Sequence, residues 1–218
     1  MSKLEILIVT LPSRHEFLGQ LLAMLEPQVI ALGVRKFDQV DIRISASDID
    51  LPVGDRREAL RQRATGEYIC FLDDDDLVSP NYIARIMPLL DGIDQIGFEV
   101  EAWNNHEKML PTYHSLRFGK WTNPVNGRMG LEGAYCRDIS HLNPMRRELA
   151  LRAPMAGGFG EDCRWANELR ALDIVKSEHY IEEVMYYYLW RGGKNDARDA
   201  IDPWRLAFIE RLYPKVSA

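Results

Sequence analysis

Apolar residues in the first 90 positions fall into two alternating patterns. Continuous runs at 4–10, 40–44 and 68–72, rich in β-branched and aromatic residues, are typical of strands buried in a parallel sheet. Between them, helices are predicted from an apolar stripe that begins at Phe17 and over 55–65. Strands that alternate with helices predict an α/β domain with a mostly parallel, Rossmann-like central sheet flanked by helices.

Local signals indicate where these helices begin and end. Ser13 and Glu16 have the spacing of a capping box at the start of the first helix, and Pro27 is expected to kink or shorten that helix. Gly66 is expected to be the C′ residue of the second helix. Ser79-Pro80 has the N-cap and N1 signature of a third helix.

Beyond residue 90 the predicted elements are shorter and the pattern is less regular. The expected elements are a strand at 96–102, a loop with short strands at 103–129, a short strand at 134–140, a short helix at 144–151, a helix from 161, a strand at 180–190 and a last helix from 203. The long loop is the kind of segment that shapes a substrate pocket. We predict one domain over residues 1–218.

Composition limits the class of protein. The 218 residues are 46% hydrophobic and 28% charged, as expected of an ordinary soluble globular domain. A net charge of −6 argues against a protein whose main surface binds nucleic acid. No apolar run approaches the ~20 residues of a membrane span. Three widely spaced cysteines suit reduced thiols, so a cytoplasmic location is expected.

The strongest chemical signal is the run of four carboxylates, Asp73 to Asp76, directly after the strand at 68–72. Open α/β sheets bind ligands at the carboxyl ends of their strands. Two unit charges ~4 Å apart near a surface repel by roughly 4 kcal/mol, and a bound divalent cation removes that cost. Asp73 and Asp75 form a D-x-D pattern of hard oxygen ligands, which suits Mn²⁺ or Mg²⁺. The alternative is an acidic cap before the next helix.

The residues around this run resemble the signature of family 2 glycosyltransferases. Residues 54–76 follow the pattern G-x-x-R-N-x-G-x-x-x-A-x-G-E-Y-I-x-F-L-D-x-D-D, except that Glu58 replaces Asn and Leu60 replaces Gly. The first strand is followed by Pro12 and Arg14, as at the start of that fold. The resemblance implies a GT-A fold and a nucleotide-diphospho-sugar donor, with a UDP-sugar favoured. It also implies a donor half at about 1–100 and an acceptor half at about 101–218, which ends in a lid and a helix.

Two further segments bear on this resemblance. Glu161-Asp162, at a predicted helix start, is similar to the family's E-D motif. The loop after the second strand lacks the common D-D-G-S sequence and contains Asp48 and Asp50 instead.

The resemblance also implies roles for individual residues. Asp73 would face the ribose, Asp75 would coordinate the Mn²⁺ or Mg²⁺ that bridges the diphosphate, and Asp162, beside Glu161, would be the general base. The residues expected to bind the nucleotide-sugar are Pro12, Arg14, Asp48, Asp50, Arg57, Asp73, Asp74, Arg191 and Lys194.

Each role has a structural alternative. Asp48 and Asp50 are also explained by Asx-turn chemistry, and Glu161-Asp162 by the preference of acidic residues for helix N-termini. Arg14 and Arg57 are also explained as a first-turn helix residue and a surface ion pair. Arg191 and Lys194, on a glycine-rich loop, either bind the diphosphate in a closed state or form a solvated basic turn.

Isolated histidines and aromatic residues between 103 and 141 are expected to have structural roles. For His106, His114 and His141 a place in the core or on the surface is favoured over ligand binding. Packing is likewise favoured over stacking on an acceptor sugar for the aromatic residues in this region, which are Trp103, Tyr113 and Trp121.

The combined prediction is a metal-dependent inverting glycosyltransferase, with inversion implied by the resemblance alone. The acceptor class stays open among a glycan, a lipid-linked carrier, a protein and a modified nucleic acid. Rival hypotheses are a haloacid-dehalogenase-like Mg²⁺-dependent phosphatase, a sugar-nucleotidyltransferase and a non-catalytic nucleotide- or carbohydrate-binding module. Turnover separates them, because the phosphatase releases phosphate, the transferase releases a nucleoside diphosphate and the binding module releases nothing.

Overall fold

A computed structural model describes residues 2–33, 39–46, 51–124, 133–190 and 201–214. Its strands are β1 Leu4–Thr10, β2 Val40–Ala46, β3 Tyr68–Phe71, β4 Leu77–Val78, β5 Gln95–Asn104, β6 Glu107–Lys108, β7 Thr112–His114, β8 Tyr135–Arg137, β9 Met145–Arg146 and β10 Glu178–Trp190. Its α-helices are α1 His15–Ala31, α2 Val53–Gln62, α3 Tyr82–Ile86, α4 Arg147–Ala150, α5 Glu161–Leu172 and α6 Pro203–Leu212. The expected nucleotide-binding residues Asp48, Asp50, Arg191 and Lys194 lie outside the described residues.

The strands form one sheet in the order β2-β1-β3-β9-β5-β10-β4. β1 pairs in parallel with both β2 and β3, and β5 pairs in parallel with β10. The two-residue β9 is antiparallel to β3 and to β5, and so joins the two parallel parts. The α/β fold class is confirmed. The sheet is mixed: its longest ladders are parallel, and short strands pair with β3, β5 and β10 as antiparallel neighbours.

β1 is buried on both faces, which explains its continuous apolar sequence. Leu4, Ile6 and Ile8 pack into a core with α1, α3 and α6, while Leu7 and Val9 pack into a second core with α2 and α5. Full burial of such a side chain contributes roughly 1.5–3 kcal/mol. Two well-packed faces hold the carboxyl end of β1 in a fixed position beside the end of β3.

Glu5 is the one charged residue of β1, and it is fully buried. Its carboxylate forms an ion pair with Arg43 and accepts the backbone N–H groups of Thr65 and Gly66, both at 2.6 Å. Burial opposes ionisation, but the hydrogen bonds from Arg43 and from these two amides lower the pKa of Glu5 below its ordinary value.

Gly66 has a different role from the predicted one. α2 ends at Gln62, so Gly66 is not its C′ residue. A Cβ atom at position 66 would lie 2.6 Å from the Cβ atom of Glu5. Close packing against Glu5 therefore requires glycine here.

Other local predictions were also corrected. Pro27 lies inside α1 and does not shorten it, and the N-cap residue is Arg14, with no side-chain capping bond. Ser13 belongs to the preceding 3-10 turn, Pro12–Arg14. The segment predicted as a helix from 144 begins with β9 instead, because it pairs with β3. No helix in the described ranges has the length and apolar character that a membrane crossing needs.

Candidate active site

The carboxyl ends of β1 and β3 meet, and this brings the four carboxylates beside the turn after β1. Thr10 donates its hydroxyl to Oδ2 of Asp74 at 2.6 Å. Arg14 donates from Nη1 to Oδ1 of Asp74 at 2.9 Å, and its Nη2 lies 3.3 Å from Oδ2 of Asp75. Arg14 thus joins the first loop of the fold to the acidic loop, at the edge where the sequence predicted a nucleotide site.

Asp74 is a buried anchor, with only 3% of its side chain exposed. Burial, followed by the negative charge of Asp75, raises the pKa of Asp74 to about 6, although Thr10 and Arg14 act in the opposite direction. Both carboxylate oxygens have protein partners. Asp74 therefore holds β1 and Arg14 in place rather than facing the open site.

Asp76 is also buried. Tyr186 donates its hydroxyl to Oδ2 of Asp76 at 2.5 Å, and the backbone N–H of Leu189 donates to Oδ1 at 2.7 Å. The Tyr186 oxygen in turn accepts the backbone N–H of Asp73 at 3.2 Å. Burial and then the charges of Asp75 and Asp73 raise the pKa of Asp76 well above its usual range. Asp76 connects the acidic loop to β10.

Arg205 of α6 holds the same loop through its backbone. Its Nη1 donates to the carbonyl of Asp75 at 2.6 Å, and its Nε donates to the side chain of Gln20 at 2.6 Å. Arg205 was not among the site residues predicted from the sequence. The sequence feature that pointed to this region was the predicted start of the last helix. There Asp202 caps α6 by accepting the backbone N–H of Arg205 at 2.8 Å.

Asp73 and Asp75 are the partly open members of the run, each with a quarter of its side chain exposed. Oδ1 of Asp73 accepts a hydrogen bond from Arg57, and Oδ2 lies 3.9 Å from Nε2 of His141. Although burial opposes ionisation, the positive charge of Arg57 and the contact with His141 hold the pKa of Asp73 well below its usual range.

Arg57 is a buried bridge and not a surface ion pair, since 8% of its side chain is exposed. Its two terminal nitrogens donate to Asp73 and to Glu161, whose side chain is 4% exposed. Burial alone would lower the pKa of Arg57, but Asp73 and then Glu161 raise it above its ordinary value. Arg57 thereby ties the acidic loop to the start of α5.

Asp162 lies beside this bridge with 26% of its side chain exposed. It lies two residues after Gly160, whose φ of 83° is in the left-handed region that favours glycine. Its Oδ1 accepts the backbone N–H of Cys163 at 2.7 Å, and its Oδ2 lies 3.6 Å from Nδ1 of His141. The predicted base and the predicted nucleotide-binding carboxylate are therefore on opposite sides of one imidazole.

The two departures from the family signature have structural partners. Glu58, where Asn is usual, accepts the backbone N–H of Met155 at 2.7 Å and a hydrogen bond from Arg61 at 2.5 Å. Leu60, where Gly is usual, is 3% exposed and packs in the core shared by α2 and α5. Both residues attach α2 to the segment that leads to α5.

The remaining histidines and aromatic residues mostly pack, as expected. His114 is buried and within 3.1 Å of the Asn143 side chain, and burial lowers its pKa to about 3. Trp103 packs against Trp204, and Trp121 donates to the carbonyl of Ile139 at 2.6 Å. His141 differs from them because it lies between two site carboxylates, a position that its sequence context did not indicate.

The residues present fit a divalent cation that is held by one or two carboxylates together with phosphate oxygens of a bound nucleotide. Among the described residues, no three or more His, Cys, Asp and Glu side chains cluster as a protein-only metal site. Mn²⁺ and Mg²⁺ in nucleotide sites commonly take one or two carboxylates plus phosphate oxygens. Asp75 suits such a role, because Asp73 already faces Arg57 and His141.

Comparison with known proteins gives a family model and solved structures. Residues 40–140 match the model described as Glycosyl transferase family 2. No curated protein sequence matches the chain. S. aureus TarS 1-349, solved in complex with UDP-GlcNAc, is 15% identical at a TM-score of 0.58, over 96% of this chain and 65% of that one.

A second solved structure has the same architecture. Glucosyl-3-phosphoglycerate synthase from Mycobacterium tuberculosis, solved with Mn²⁺, UDP-glucose and phosphoglyceric acid, is 14% identical at a TM-score of 0.52, over 96% of this chain and 76% of that one. The chain spans 60–65% of the matched TarS 1-349 chains. At these identities the likeness shows a shared fold.

Proposed function

We propose that this chain, which has the GT-A fold of the family 2-like glycosyltransferases, transfers a sugar from a nucleotide-diphospho-sugar to an acceptor hydroxyl. The observation that carries the proposal is the pair of partly exposed carboxylates, Asp75 and Asp162, at one edge of the sheet. His141 lies between Asp162 and Asp73, which is two residues before Asp75. In this proposal Asp75 serves the donor and Asp162 serves the acceptor.

The donor is a nucleotide-diphospho-sugar, with a UDP-sugar as the leading candidate. The neighbours solved with UDP-GlcNAc and with UDP-glucose support this choice. Asp73 binds the ribose, while Pro12 and Arg14 line the nucleotide pocket at the end of β1. Asp74 supports them by holding Arg14. The proposed base contacts of Asp48 and Asp50 and the diphosphate contacts of Arg191 and Lys194 complete the site.

Asp75 would be the principal protein ligand of a divalent cation, and Asp73 would be the second candidate ligand. Mn²⁺ in the mycobacterial synthase structure supports metal use of this type. When bound, Mn²⁺ or Mg²⁺ supplies positive charge for the departing diphosphate. Arg205 holds the Asp75 carbonyl, which keeps the loop in a position to meet a diphosphate.

Asp162 acts as the general base. It removes the proton from the acceptor hydroxyl as that oxygen attacks the anomeric carbon, while the bond from this carbon to the diphosphate oxygen breaks. The displacement inverts the anomeric configuration and releases a nucleoside diphosphate. Glu161 contributes by holding Arg57, and through it Asp73, beside the base. The acceptor classes remain a glycan, a lipid-linked carrier, a protein and a modified nucleic acid.

The test is release of nucleoside diphosphate from a panel of UDP-, GDP- and dTDP-sugars with Mn²⁺ or Mg²⁺ present. Metal-dependent release from at least one donor is expected, with slow hydrolysis standing in for transfer when the acceptor is missing. Inorganic phosphate released from a phosphomonoester would indicate the phosphatase instead. Donor binding without any release would indicate the binding module, and neither binding nor release would overturn the proposal.

A further inference from the structure

His141 lies in a short segment between β8 and β9 that is attached to the rest of the fold on three sides. The carbonyl of His141 accepts the backbone N–H of Phe71 at 2.8 Å, directly beside the acidic loop. Asp138 forms an ion pair with Arg170 of α5. Asn143 donates its side-chain amide to the carbonyl of Ile96 at 2.6 Å. The backbone that carries the imidazole is thus held between β3 and α5.

The imidazole of His141 is buried, since the residue is 8% exposed. Among the described residues neither ring nitrogen has a hydrogen-bond partner. A buried donor left without a partner is costly, and such groups in native structures call for an explanation. A role in packing alone does not explain why this position carries a polar ring.

Both nitrogens point toward site carboxylates. Nδ1 lies 3.6 Å from Oδ2 of Asp162, and Nε2 lies 3.9 Å from Oδ2 of Asp73. Hydrogen bonds in catalytic sites are often long before substrate binds and shorten in the complex. A displacement of less than about 1 Å brings Nδ1 and Asp162 within hydrogen-bond distance.

We propose that His141 is a positioning residue for Asp162. In the complex with donor and acceptor, Nδ1–H donates to Oδ2 of Asp162, while the backbone N–H of Cys163 already donates to Oδ1. These two donors fix the carboxylate plane, so that the remaining lone pairs face the acceptor hydroxyl. The inference rests on the proposed function, in which Asp162 is the base.

Two substitutions separate the two edges of the ring. The side-chain amide of Asn reaches roughly the place of Nδ1, and that of Gln roughly the place of Nε2. His141→Phe removes both donors and keeps an aromatic ring beside Phe71, whose ring centroid lies 6.2 Å away. If Nδ1 positions Asp162, His141→Asn should retain most of the kcat that His141→Gln and His141→Phe lose.

The experiment measures kcat and donor KM for nucleoside diphosphate release by the full chain, together with UDP affinity in Mn²⁺ and the thermal unfolding midpoint. For His141→Phe we expect kcat to fall about 10- to 100-fold, with UDP affinity retained. His141→Asn should recover most of the rate, and His141→Gln should not. In an Asp162→Asn background, His141→Phe should have no further effect, because the group that it positions is gone.

The outcomes distinguish this inference from the function on which it rests. If the wild-type chain releases no nucleoside diphosphate from any donor, the proposed function fails and this inference fails with it. If the wild type turns over and His141→Phe is equally fast, only the role of His141 is overturned. Equal rates in all three variants, or a parallel fall of kcat, UDP affinity and thermal midpoint, would indicate packing and would also overturn it.

Discussion

Gly54 and Gly157 are in direct backbone contact at the point where α2 meets the segment leading to Asp162. The N–H of Gly54 donates to the carbonyl of Gly157 at 2.8 Å, and a Cβ atom at position 54 would lie 2.4 Å from that oxygen. The N–H of Gly157 donates to Asp55 at 2.8 Å. The first glycine of the signature therefore sets how closely α2 approaches the segment that leads to Asp162.

Gly54→Ala should displace the segment before α5, because the new methyl group has no room. We expect a loss of about 1–3 kcal/mol in the free energy of unfolding and a lower kcat, measured by chemical denaturation and nucleoside diphosphate release. Gly19→Ala is the matched control. Gly19 is exposed in α1, and a Cβ atom there would have nothing within 4 Å, so alanine should stabilise by roughly 0.5–1 kcal/mol. Full stability and activity in Gly54→Ala would contradict the contact.

Arg57→Ala should be strongly destabilising, because it leaves the carboxylates of Asp73 and Glu161 without their shared cation. Loss of one partner from a buried ion pair typically costs about 3–5 kcal/mol. Urea unfolding at neutral pH measures the change. Arg85→Ala is the control, since Arg85 pairs with Glu183 on the surface with both side chains over 40% exposed. That pair should contribute at most about 1 kcal/mol, and equal losses in the two variants would refute a special role for Arg57.

Asp75→Asn should abolish metal-dependent donor binding without unfolding the protein. The change removes a pairing with Arg14 but also removes repulsion with Asp74 and Asp76, so the free energy of unfolding should change by no more than about 1 kcal/mol. Titration calorimetry with UDP, with and without Mn²⁺, measures the effect. Asp91→Asn, with a side chain 91% exposed, provides a carboxylate control outside the site. Mn²⁺-dependent UDP binding that survives in Asp75→Asn would remove the metal assignment.

Asp162→Asn should retain UDP binding and lose turnover. A general base contributes about 10²- to 10⁴-fold to the rate, so kcat should fall by that factor while UDP affinity in Mn²⁺ stays near the wild-type value. Glu168→Gln, on the exposed side of the same helix, should behave like the wild type. Equal losses of binding and turnover in Asp162→Asn would argue against a base and for a structural acid at the helix start.

Glu5→Gln should lower the free energy of unfolding relative to the wild type, and this loss should be larger at neutral pH than at low pH. The pKa of Glu5 is lowered in the folded state, so its contribution is present above the unfolded pKa of about 4.3 and is lost as pH falls through the folded pKa. We expect a loss of about 1–3 kcal/mol at pH 7, shrinking toward pH 3, from urea unfolding across pH. Asp41→Asn, at an exposed carboxylate 4.0 Å from Arg43, should show little of either effect. A pH-independent difference would contradict the ion-pair explanation.

Several features followed from the sequence because they depend on local pattern. The runs that became β1 and β3, the acidic loop after β3 and the helix starting at Glu161 were all located by periodicity and residue type. Each pattern reports burial over a few neighbouring residues, and such burial depends mainly on residue type and spacing. The family signature added the expected partners of those segments.

Tertiary structure alone decided the rest. The D-x-D pattern already singled out Asp73 and Asp75, but only the structure shows that Thr10 holds Asp74 and Tyr186 holds Asp76 as buried anchors. His141 reaches the site only because its backbone is bound to Phe71, 70 positions earlier in the numbering. These contacts join segments far apart along the chain, and no local pattern encodes the distance between them.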